Sequence, residues 1–113
     1  MAIKDWSDNI ILGDLQDDPQ FSDDLNALSD LVQRRNQVDV VLDFSGVTYL
    51  NSSNIAKLLK LRKLLVHSPK PGKLKLCAIN TSVWGVFLVT GLDKIFDFCD
   101  DVPTGLASVQ MNL

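Results

Sequence analysis

Apolar and polar positions change period several times along this chain, and each change predicts an element. Ile10, Ile11 and Leu12 form an apolar run that predicts a strand. A shorter strand near Ala2 to Trp6 and a turn at Ser7-Asp8-Asn9 are expected before it. Gly13 to Pro19 reads as a polar loop. Leu25, Leu28, Leu31 and Val32 then return at helical spacing. Ser22 as N-cap, Asp23 and Asp24 in the first turn, and Arg34 and Arg35 at the far end predict a helix of about 14 residues. Val38 to Phe44 predicts the next strand. Its consecutive Val40, Val41 and Leu42 suit a strand covered on both faces, hence central and buried.

A turn at Ser45 and Gly46 and an extended piece, Val47 to Leu50, lead into Asn51-Ser52-Ser53-Asn54. The period is helical from about Ser53 to His67, and Ser68-Pro69 ends it. Ile55, Leu58, Leu59, Leu65 and Val66 mark the core side; Lys57, Lys60 and Lys63 mark the wet side. Arg62 falls inside the apolar arc, where snorkelling at a sheet edge would accommodate it. Leu74, Leu76 and Ile79 predict a strand. Thr81 or Ser82 caps a third helix with Val83, Val86, Phe87 and Thr90 on one face and Gly91 as its stop. Ile95 to Phe98 predicts a short strand. Asp101 caps a last helix through Val109, with Pro103 tolerated in its first turn.

Strands alternating with helices imply parallel crossovers. The expected fold is α/β: a single small domain over residues 1–113, with a mixed, mostly parallel sheet of four to five strands and about four helices. The composition, 46% hydrophobic and 22% charged, is that of an ordinary soluble domain. No apolar run approaches the roughly 18 residues of a membrane span, so no membrane insertion is expected. The N-terminal stretch lacks a signal-peptide pattern, which makes a cytoplasmic location the default expectation.

Charge alters the picture through its placement. All 14 acids are aspartate. The first 43 residues hold ten of them against three bases, whereas residues 44–92 hold seven bases and no acid. A basic middle raises nucleic acid as a partner. The acidic flanks fold back onto the same small domain and give a net charge of −3, so nucleic-acid binding is not expected.

Candidate chemistry is sparse. Cys77 and Cys99 lack a CxxC spacing and read as buried free thiols, with a disulfide across neighbouring strands as the alternative. One histidine, His67, and scattered aspartates predict no metal site and no cofactor. Ser52 and Ser53 have no base at hand, because His67 lies at the other end of their helix, about 20 Å away along its axis. No enzymatic activity is expected. The two hydroxyls do lie at a helix start, where free N–H groups and the macrodipole favour negative charge. Plain capping explains such serines; a phosphoserine would also be held there at low cost. Trp84 and Leu88, four positions apart, form either an apolar contact patch or part of a broad buried face.

The segments VVLDFSGVTYLNSSNIAKLL and INTSVWGVFLVTGLDKIFDF, with the order of elements around them, resemble the STAS domain family. That family comprises anti-sigma-factor antagonists and cytoplasmic modules of sulfate-type transporters. The resemblance covers roughly Ile10 to Val109. In the antagonist branch the motif is typically Asp-Ser-Ser-Gly, its second serine phosphorylated by a partner anti-sigma kinase. By position Asn51 replaces the Asp, Ser52 is the first serine, Ser53 is the acceptor, and Asn54 replaces the Gly. The resemblance implies a regulatory module that binds an anti-sigma factor or related serine kinase, as a monomer or weak dimer. Phosphorylation of Ser53, less favourably Ser52, would reject an acidic or close-packed partner surface. The implied contact surface comprises Asn51, Ser52, Ser53, Asn54, Lys57, Trp84 and Leu88. The alternatives are a constitutive scaffold or transporter-associated module without a phosphoswitch, which the two asparagines favour, and a ligand-binding or enzymatic α/β domain.

Overall fold

A computed structural model describes residues 3–35 and 37–111. Its elements run β1 (Ile3–Ser7), β2 (Ile10–Gln16), α1 (Gln20–Arg34), β3 (Asp39–Gly46), α2 (Ser52–Val66), β4 (Leu74–Cys77), α3 (Thr81–Thr90), a 3₁₀ turn (Leu92–Lys94), β5 (Asp97–Cys99) and α4 (Val102–Gln110). The strands lie side by side in chain order. β1 is antiparallel to β2 and the other neighbours are parallel. This is the expected single α/β domain with a mixed sheet and four helices. β3 is central, and Val40, Val41, Leu42 and Phe44 on it are fully buried.

The sheet has two unlike faces. One carries the main core. Leu28 of α1, Leu58, Leu61 and Leu65 of α2, and Val83 and Phe87 of α3 pack there against Ile11, Leu42 and Phe44. An aromatic chain runs through that core. Phe44 meets Phe21 edge-on at 6.1 Å and Phe87 at 6.4 Å. Phe87 in turn meets Phe96 at 5.9 Å and Phe98 at 5.1 Å. Such pairs add about 0.5–1.5 kcal/mol each beyond area burial. The opposite face is covered by α4, with Leu106 and Val109 on Ile10, Val41 and Cys77. α4 comes close at Gly105, where a β-carbon would stand 2.5 Å from Cys77 Sγ.

Several expected boundaries shift. β2 continues through Gln16 where a loop from Gly13 was expected. Its pairing with β3 extends to Gln16 opposite Gly46, and Leu15 is fully buried. The same pairing keeps Ser45 and Gly46 in β3 rather than in a turn. α1 begins at Gln20, not at Ser22, and Pro19 is its N-cap without a side-chain bond. Asp24, expected in the first turn, is buried and accepts from Gln20 Nε2 at 3.0 Å. On α2 the core stripe is Asn54, Leu58, Leu61 and Leu65, a spacing of four, three and four. Leu59 and Val66, expected inside, are exposed. Arg62 therefore flanks the stripe rather than interrupting it. β4 stops at Cys77, because Ala78 turns to φ 60 and takes Ile79 out of the sheet. α3 is capped by Asn80, not Thr81 or Ser82, and Gly91 ends it with φ 76 as expected. β5 starts at Asp97, since Ile95 still closes the 3₁₀ turn. Asp101 caps α4 as expected, with Thr104 N–H donating to it at 2.8 Å. The Ala2 end of the first expected strand lies outside the described residues.

Candidate functional site

The parallel strands deliver their carboxyl ends to one edge of the sheet, and α2 and α3 start there. Asn51 is the N-cap of α2, in extended conformation with φ −103 and ψ 175. Its side-chain oxygen accepts from the Asn54 N–H at 2.8 Å, and its own N–H donates to the Asn54 side-chain oxygen at 3.0 Å. This reciprocal box satisfies two groups that a helix start leaves unpaired. The cap is thus an asparagine, and Ser52 and Ser53 occupy the first two helical positions, both exposed. The Lys57 ammonium donates to Ser53 Oγ at 3.1 Å from one turn on.

Beneath this turn lies a carboxylate that sequence reasoning missed. Asp18 Oδ2 accepts from Asn54 Nδ2 at 2.9 Å and Asn51 Nδ2 at 3.3 Å. Its Oδ1 accepts from Ser22 N–H at 3.0 Å and Ser22 Oγ at 2.7 Å. One side chain therefore joins the first turns of α1 and α2. Ser22 serves here as a donor inside α1. These bonds, the Asn54 amide first and Ser22 next, hold the Asp18 carboxyl down at about 2. Asp17 accepts from Thr48 N–H at 2.8 Å and Thr48 Oγ1 at 2.6 Å, which lowers its pKa and pins the loop entering the turn. From the other side Asn80 Nδ2 donates to Val47 O at 2.6 Å, tying the start of α3 to the same loop.

The predicted residues divide into two groups. Asn51, Ser52, Ser53, Asn54 and Lys57 are brought together at one helix start. Trp84 and Leu88 lie along α3. Trp84 is half-buried against Phe98, with ring centroids 4.9 Å apart and planes at 89°. Leu88 is 51% exposed, one turn further from the edge. Asp17, Asp18, Ser22, Thr48 and Asn80 were not anticipated as site residues. The available signal was a pair of adjacent aspartates directly before a helix, a pattern that more often marks solvated turns.

Other expected chemistry falls elsewhere. His67 is the C-cap of α2, at the far end of the helix from the serines. Cys77 and Cys99 are free thiols opposite one another on β4 and β5. Burial pushes the Cys77 thiol up to about 12, so it stays protonated. Among the described residues no group of three His, Cys or Asp side chains is arranged to hold a metal ion. No helix among them is long and apolar enough to cross a membrane.

Comparison with known proteins bears on this arrangement. The family model for the STAS domain matches residues 20–105. A crystal structure from Thermotoga maritima, presented as that of a candidate anti-sigma factor antagonist, superposes with a TM-score of 0.79 at 18% identity, covering 96% of this chain and 92% of that one. An anti-sigma-factor antagonist (STAS) domain protein from Planctomyces limnophilus superposes at 0.80 with 16% identity, covering 96% and 97%. The NMR structure of the same Thermotoga maritima protein, TM1081, gives 0.80 at 18% identity, covering 97% and 89%. At such identities the structural likeness establishes the fold. Among curated proteins no sequence matches.

Proposed function

Because the chain belongs to the STAS domain family, we propose that it is a non-enzymatic, cytoplasmic regulatory module that binds an anti-sigma factor or related kinase through the edge where α2 and α3 begin. Phosphorylation of Ser53 switches that binding. The observation that carries this reading is the placement of Ser53: exposed, second in its helix, with its oxygen already bonded to Lys57. A phosphoryl group there adds roughly −1.5 to −2 charge. The helix start and the Lys57 ammonium favour it in the free protein. At a close-packed contact the same charge must be stripped of water without a matched partner, which costs more than the helix returns. The switch therefore acts at the contact and needs no refolding.

A second reading is a constitutive scaffold or transporter-associated module. It is favoured by Asn54, which is 1% exposed and committed to Asn51 and Asp18 where the antagonist motif has glycine. Affinity capture from the native cell, phosphosite mapping and titration of the captured partner separate the two. The switch predicts phosphate on Ser53, with Ser53→Asp binding weakly and Ser53→Ala binding like wild type. Equal binding by all three proteins, with no phosphate on Ser53, leaves the scaffold.

A further inference from the structure

Beside the start of α3 a cavity of about 250 Å³ is lined by Ile79, Trp84, Phe98, Cys99 and Asp100. Its walls are aromatic. Trp84 and Phe98 meet edge-to-face, Phe98 is backed by Phe87, and both rings are only partly buried where they line the cavity. Its rim is fixed. Ala78 holds φ 60, an unusual conformation for a residue with a side chain, and its N–H donates to Cys99 O at 3.3 Å. Asp100 is exposed at the mouth.

Carboxylates gather near the carboxyl ends of the strands, where the cavity also lies. Asp14 and Asp43 stand opposite one another near the carboxyl ends of β2 and β3, and Asp17, Asp18, Asp100 and Asp101 follow the ends of β2 and β5. Against these, the first two turns of α2 and of α3 supply one cation, Lys57. The two ion pairs among the described residues, Arg35–Asp5 and Lys75–Asp97, involve none of these acids. Aromatic ring faces next to a carboxylate, within a negative field, recognise a cation with an apolar stem. A phosphate-bearing or acidic occupant is repelled.

We infer that this cavity receives an arginine or lysine side chain of a partner protein, with the stem against Trp84 and Phe98 and the charge toward Asp100. The inference rests on the binding-module reading and specifies its partner: it presents a basic side chain to the cavity beside α3 and a close-packed surface to Ser53. Long-range attraction then speeds the encounter, while desolvation at Ser53 decides whether the contact closes.

The test uses N-acetyl-arginine amide, with its neutral analogue N-acetyl-citrulline amide, at low ionic strength. A Trp6→Phe background leaves Trp84 as the sole tryptophan. Trp84 fluorescence and its indole N–H resonance should respond saturably to the arginine probe. The response should be weaker by about fivefold or more with citrulline, and likewise in Asp100→Asn. The inference is overturned if the indole does not respond, if both probes act alike, or if Asp100→Asn changes nothing. The titration involves neither a partner protein nor a phosphate. A silent cavity alongside a Ser53→Asp protein that releases its partner removes the cavity and keeps the switch; the converse removes the switch alone.

Discussion

Helices α2 and α3 both start on an asparagine at the same edge of the sheet, yet different physics holds each start in place. At α2 the cap is reciprocal, and two carboxylates from the end of β2 grip the turn and the loop before it. At α3 the cap is one-way, Asn80 Oδ1 accepting from Val83 N–H at 2.9 Å. What anchors α3 is apolar: Val83 and Phe87 are fully buried, and Trp84 leans on Phe98. Polar geometry fixes the turn that carries the serines, and packing fixes the helix beside it. A protein surface that must present hydroxyls in a set orientation and also offer an apolar cavity gains both from this division.

Substitutions at four positions probe the contrast. The largest effect should come from Phe87→Ala, which removes the ring shared by three aromatic contacts. A loss of about 3–5 kcal/mol is expected in chemical denaturation, with α3 amides exchanging first. Next is Asp18→Ala, which strands the buried Asn54 amide and should cost about 1–3 kcal/mol. Hydrogen exchange should rise at α1 and α2 starts and stay unchanged along α3.

The same carboxylate gives a pH signature. Its folded value, about 2, lies below the ordinary 3.8. The stabilisation is therefore complete above the unfolded value and is lost as pH falls through the folded one. Denaturation followed between those pH values should show a drop in wild type that is smaller in Asp18→Asn.

Asn80→Ala should cost about 1 kcal/mol, the ordinary worth of a cap, and should loosen the Val47 loop. A loss as large as that for Phe87→Ala would mean that α3 depends on its cap and would dissolve the contrast. The smallest effect is expected of Ser53→Asp, a gain of about 0.3–1 kcal/mol from the helix start and Lys57, read as a raised thermal midpoint. A lowered midpoint would show that the turn resists charge, contrary to its proposed use.

Much of this fold was legible because period and punctuation agree. β3 announced itself through consecutive apolar residues, and Gly91 and Asp101 marked helix ends by residue type alone. The acceptor turn was legible as a place, since extended and helical periods meet at Asn51. What was not legible was how it is held. Asp18 and Asn54 are 36 positions apart, and their bond exists because β2 and β3 are parallel neighbours. The length of β2 was missed for a related reason. Gly13, Asp14 and Gln16 have little strand character of their own, and pairing with β3 holds them extended. On α2, Leu59 and Val66 are apolar yet exposed, so hydrophobicity alone points them the wrong way. Sequence hydrophobicity could not reveal that the buried stripe admits an asparagine at its head.

The order of strands has a consequence for how the chain comes to its shape. Each strand pairs beside the one before it, so the sheet can grow in the order in which its strands are made. Each parallel pairing nevertheless closes a long loop, Ile10 with Asp39, Val40 with Leu74 and Lys75 with Asp97, which sets folding slower than in a helical bundle of the same size. As synthesis proceeds, β1 to β3 with α1 can assemble first. Phe44, already fixed on β3, then awaits Phe87, Phe96 and Phe98 from the second half. The last ring contacts and the cover supplied by α4 come from the last segments made, and until then one face of β2 and β3 lacks its cover.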